Sequence, residues 1–161
     1  MQYLSIDCMP ECFRDRLNGK PDPNAEQGFC IEKESCLEFE EVCVYVVEGR
    51  PVATYSSAQQ RSYKVSISQE EYHRIWTVFS ADKLPRECLM LSDLDMSDGV
   101  SYSVRTVHGP ESSRLIVSGE PGAYCEAEAD AIAKRVVSVF QQAKELARPS
   151  SFWKSLFRSL R

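Results

Sequence analysis

The stretch "LSDLDMSDGVSYSVRTVHGPES", residues 91–112, decides the fold. Asp93, Asp95, Asp98 and Gly99 suggest a calcium loop, whereas the residues that follow read as a strand. An EF-hand loop places oxygen ligands at positions 1, 3 and 5, glycine at 6 and glutamate at 12. Counted from Asp93, Gly99 falls at position 7 and Val104, which cannot ligate, at position 12. The hairpin reading fits instead. Asp98–Gly99 supplies turn chemistry, and Val100, Tyr102 and Val104 alternate as a buried face. "HGPE" then reverses the chain, and Leu115 and Val117 return on the partner strand. Asp93, Asp95 and Asp98 are left on a loop, where they can meet a basic partner.

Working outward, "FCIEKESCLEFEEVCVYVVEGRPVATYSS" holds Val42, Val44 and Val46 alternating with Cys43, Tyr45 and Val47. Both faces are apolar there, as in a strand covered on both sides. Glu40–Glu41 interrupts the Leu37/Phe39 alternation, which predicts a bulge. "EGRP" reads as a turn and "VATYSS" as the returning strand. "SYKVSIS" forms a third strand and runs into a capping box, Ser68 followed by Glu71. Tyr72, Ile75, Trp76 and Phe79 have helical spacing, and so do Ala129, Ile132, Val136, Val139, Phe140 and Ala143, before Pro149. A short helix over "PECFRDRL" opens the chain. The expected fold is α+β: an antiparallel sheet of about five strands with helices packed on it, in the order αβββαββα. Residues 1–148 form one domain, and residues 149–161 form a basic amphipathic tail helix.

The chain has 161 residues, enough for one core, and a net charge of −5. Residues 148–161 hold Arg148, Lys154, Arg158 and Arg161 and no acid, so the rest carries 15 of the 19 basic side chains and all 24 acids. An acidic body repels nucleic acid and favours a basic protein partner. The expected contacts are Glu38, Glu40 and Glu41, within a run of seven glutamates opposed only by Lys33 between residues 26 and 48, together with the three aspartates. In the tail, Trp153 and Phe157 lie on an apolar face that also holds Phe152, Leu156 and Leu160. That face is expected to pack on the domain or on a second copy, giving a homodimer.

No apolar run approaches the ~20 residues of a membrane span. "MQYLSIDC" has neither a basic n-region nor an apolar h-region, so a cytoplasmic location is expected. The seven cysteines lack C-x-x-C spacing and read as reduced, mostly buried thiols, with no metal or cofactor expected. There is no phosphate loop, nucleophile elbow or zinc-protease motif, and His73 and His108 read as packing or surface residues. No catalytic residue is therefore expected; a small enzyme of unknown reaction is the third-ranked class.

Two resemblances refine the expected function. "LSDLDMSDGVSYSVRTVHG", the returning strand, Pro121 and the long apolar helix resemble small bacterial proteins that carry "DG-x-x-Y" before a hairpin. Some of these are immunity proteins encoded beside secreted antibacterial toxins; the likeness covers about residues 90–147. The order αβββαββα is similar to that of type III secretion chaperones, which are small, acidic and dimeric and wrap an extended effector segment. Seven cysteines depart from that family's usual composition. The first resemblance implies an immunity protein that occludes its toxin, the second a secretion chaperone.

Overall fold

A computed structural model describes residues 3–5, 25–58, 62–79, 89–91, 100–108, 111–118 and 127–148. The proposed first helix, Asp93, Asp95, Asp98 and the tail with Trp153 and Phe157 lie outside the described residues. The strands are β1 (Tyr3–Ser5), β2 (Gln27–Glu34), β3 (Phe39–Val47), β4 (Arg50–Ser57), β5 (Tyr63–Ser66), β6 (Leu89–Leu91), β7 (Ser101–His108) and β8 (Glu111–Ser118). The helices are α1 (Gln69–Phe79) and α2 (Ala127–Leu146). One open sheet runs β1-β6-β8-β7-β2-β3-β4-β5. Its six longer strands pair antiparallel throughout, while the three-residue β6 joins β8 in parallel.

The fold is α+β as expected, but with more strands and a different order. The additional central strand is β2. Its "QGFCIEKE" puts Phe29 and Ile31 toward the helices and Cys30 on the opposite face, all buried. With apolar residues on both faces it shows no simple polar alternation. The expected bulge at Glu40–Glu41 is absent: β2 and β3 pair without a break from Gln27↔Val46 to Glu34↔Phe39. The apparent break in pattern has another cause. Leu37 belongs to the turn before β3, not to the strand.

Three further readings of local pattern hold among the described residues. Glu48 (φ 50°) and Gly49 (φ 70°) make the two-residue turn between β3 and β4, closed by the Val47↔Arg50 pair. Two consecutive positive φ angles match the right-handed twist of the flanking strands. β7 and β8 form the hairpin, with Tyr102 and Val104 buried opposite Val117 and Leu115. At the start of α1 the Ser68 N–H and hydroxyl donate to Glu71 Oε2 at 2.8 and 2.9 Å, and the Glu71 N–H donates to Ser68 Oγ at 3.1 Å. These bonds hold the Glu71 carboxyl below its ordinary value. Ser68→Ala removes one side of this reciprocal cap. The expected cost is about 1 kcal/mol, read from a urea melt as a lower midpoint at unchanged slope.

Both helices lie on one face of the sheet. Ile132, Val136, Val139, Phe140 and Ala143 of α2 meet Phe29, Ile31, Val42, Val44 and Ala53, and Tyr72 and Ile75 of α1 complete the cluster. Phe140 meets the Tyr102 ring edge-on at 5.8 Å. Each large side chain buried here contributes roughly 1.5–3 kcal/mol before entropy. The opposite face carries a smaller buried cluster of Ala25, Cys30, Cys43 and Tyr45.

Candidate functional site

Among the described residues, the β2–β3 hairpin gathers ion pairs and two cysteines toward its turn end. Its register sets three pairs side by side: Cys30↔Cys43, Glu32↔Glu41 and Lys33↔Glu40. Side chains alternate between faces along a strand. Glu40 and Lys33 therefore lie on the helix face, and Glu41, Glu32 and the cysteines on the opposite one.

On the helix face Glu40 is buried. The Tyr55 hydroxyl donates to Glu40 Oε1 at 2.7 Å, and the Lys144 ammonium donates to the same oxygen. Lys33 Nζ lies 3.8 Å from Oε2, and Lys144 sits 5.3 Å from the centre of the Tyr55 ring. Burial pushes the Glu40 carboxyl up, but hydrogen bonds from Lys144 and Tyr55 and the charges of Lys144 and Lys33 bring it below the ordinary carboxylate range. For Lys144, burial pulls the ammonium down, while Glu40 more than compensates and leaves it raised. The pair is thus charged at neutral pH and clamps the last turn of α2 to β3.

On the opposite face Arg105 reaches across from β7. Its Nη2 donates to Glu32 Oε1 at 2.8 Å and to Glu41 Oε2 at 2.9 Å. One guanidinium therefore joins two carboxylates that face each other across the ladder. Beside them Cys30 and Cys43 form a disulfide. This corrects the expectation of reduced, buried thiols. Close-range spacing does not reveal a bond between directly opposed residues of two strands. Cys36 is free and exposed, and the other four cysteines lie outside the described residues. The bond belongs to the oxidised chain; in a reducing compartment the pair is two thiols.

Between the faces lies the turn Ser35–Glu38. Ser35 Oγ accepts from the Glu38 N–H at 3.0 Å, and the Ser35 N–H donates to the Glu38 carbonyl at 2.9 Å. These bonds fix the loop and leave Leu37 83% exposed at its tip, beside exposed Glu38.

The three expected acidic contacts in the described residues thus separate. Glu38 faces solvent, Glu40 is paired inside the domain, and Glu41 is shared with Arg105 on the other face. The Leu37/Phe39 alternation mimics a strand and conceals that Leu37 stands in the turn. His73 is exposed on α1, while His108 ends β7 and meets the Trp76 ring edge-on at 6.1 Å. Trp76 in turn stacks on Tyr72. The Tyr72 hydroxyl is buried, and no hydrogen-bond partner for it occurs among the described residues. Burial raises its pKa above the ordinary tyrosine value.

Compared with known proteins, the chain matches no family model, no curated protein and no solved structure. Among the described residues no helix is long and apolar enough to cross a membrane.

Proposed function

We propose that the chain is a non-catalytic protein-binding module, an immunity protein that neutralises a cognate secreted toxin in the cytoplasm by covering it. The observation that supports protein binding is Leu37; the immunity role rests on the resemblance over residues 90–147. A large apolar side chain 83% exposed on a hydrogen-bonded turn forfeits the stabilisation of burial in the free chain. It regains that stabilisation on docking, and the turn is already ordered, so little entropy is lost. Glu38 beside it and the acidic balance of the body suit a basic cleft. In this arrangement Leu37 is the anchor, and the surrounding acids steer approach and exclude wrong partners.

The reading requires a toxin gene beside this chain's own, and co-expression of the two is the test. The wild-type chain is expected to co-purify with the toxin and restore growth. Leu37→Asp is expected to weaken the complex by about 2 kcal/mol, roughly thirtyfold, and to reduce the rescue. Absence of both complex and rescue would overturn the reading. A homodimer wrapped by an extended effector segment would be the behaviour of a secretion chaperone instead.

A further inference from the structure

We infer that Cys30, Cys43 and Glu41 form a divalent-cation site in the reduced chain, and that zinc is the ion this ligand set fits. The two cysteines are register partners on β2 and β3, and Glu41 lies two residues before Cys43 on the same face. Their sulfurs and a carboxylate oxygen all lie within 4.8 Å of one another. A tetrahedral zinc with Zn–S of about 2.3 Å and Zn–O of about 2.0–2.2 Å spaces its ligand atoms roughly 3.5–3.8 Å apart. The two sulfurs are bonded to each other in the oxidised chain, and opening that bond frees them to part to this spacing by side-chain rotation. Two thiolates with one carboxylate select a borderline-soft ion over magnesium or calcium, which take oxygen ligands.

The surroundings support the site. Cys30 and Cys43 are buried, while the Glu41 side chain is 28% exposed and gives the ion a way in. Arg105 donates to Glu41 Oε2 and so fixes the carboxylate from outside, as hydrogen-bonded outer partners do for ligating carboxylates. Its charge opposes a cation but also favours the thiolate form. Glu32, which it also holds, adds a further negative charge nearby. Two thiolates and two carboxylates outnumber one guanidinium. Three protein ligands leave a fourth position for water.

The chemistry balances with a dithiol reductant. The reductant passes two electrons and two protons to the Cys30–Cys43 disulfide and closes into its own disulfide. The divalent ion then displaces both thiol protons to solvent. The pair is therefore a switch between a covalent cross-link and a metal site.

The inference stands apart from the proposed function and is tested without the toxin. The full chain is reduced with dithiothreitol, desalted without oxygen and titrated with Co2+. A thiolate-to-cobalt charge-transfer band saturating at one ion per chain, displaced by Zn2+, is expected; the oxidised chain should give none. The band should persist when Cys8, Cys12, Cys36, Cys88 and Cys125 are replaced by serine. Cys30→Ser or Cys43→Ser should abolish it, and Glu41→Gln should weaken cobalt binding about tenfold or more. If the five-serine chain does not fold, the same two serine variants in the wild-type chain carry the comparison. No band from a reduced chain with unchanged far-UV circular dichroism would overturn the inference. So would a band that survives Cys30→Ser, or unfolding of the wild-type chain on reduction.

Discussion

Gly28→Ala is expected to cost about 3 kcal/mol or more, a large share of the 5–15 kcal/mol that stabilises an ordinary domain. Gly28 sits inside β2 opposite Tyr45 with φ at +153°. A Cβ there would lie 2.4 Å from the Val44 carbonyl oxygen and 2.5 Å from Tyr45 Cα and Cβ. Those are mainly backbone atoms of the central ladder, which cannot yield without separating β2 from β3. Both the clash and the unfavourable φ act in the folded state alone. Gly49→Ala is the control. Its φ is +70° and a Cβ there meets nothing within 4 Å, so only the left-handed conformation is penalised, at roughly 1–2 kcal/mol. Urea melts of the two variants give the comparison. Equal losses would show that β2 and β3 do not approach as described.

Glu40→Ala is expected to cost about 2–3 kcal/mol at neutral pH. It leaves Lys144 at the end of α2 without its carboxylate and Tyr55 without its acceptor. Removing one partner of a fully buried pair costs about 3–5 kcal/mol. Lys144 is 26% exposed and partly screened by solvent, which lowers the figure. The pH dependence follows from the directions of the shifts. The Glu40 carboxyl is lowered in the folded chain. Its stabilisation is therefore complete above the unfolded value of about 4.3 and is lost as pH falls through the lower folded value. Lys144 is raised. Its share is complete below the unfolded value of about 10.4 and is lost as pH rises through the higher folded value. The wild-type chain should lose more stability than Glu40→Ala at both extremes of pH. Parallel stability profiles for the two chains would contradict the pairing.

Much of the fold was legible because its signals are local. The capping box at Ser68 and Glu71, the Glu48–Gly49 turn, the β7–β8 hairpin and the apolar stripe of α2 each lie within a few residues and obey one period. The number and order of strands were not legible. β2 is apolar on both faces over Phe29–Ile31 and polar thereafter, so it matches neither strand template. The pairing of β6 with β8 and of β2 with β7 joins distant parts of the chain, which no short window can register.

The site was less legible for the same reason. A count of charge finds an acidic run, but alternation along β3 turns Glu40 and Glu41 to opposite faces, and only tertiary packing shows that each already has a cation. One signal was nonetheless present. Cys30 and Cys43, Glu32 and Glu41, and Lys33 and Glu40 are each equidistant from the point between Cys36 and Leu37. A hairpin centred there forces all three pairs, and it places Leu37 at the tip rather than in a strand.

The most direct test of the central claim is hydrogen exchange on the chain with and without the toxin it is proposed to cover. If the β2–β3 turn is the docking element, amides of Ser35–Glu38 exchange more slowly in the complex, and those around the exposed Val78 on α1 do not change. A complex that protects α1 and leaves residues 35–38 exchanging as in the free chain would contradict the account.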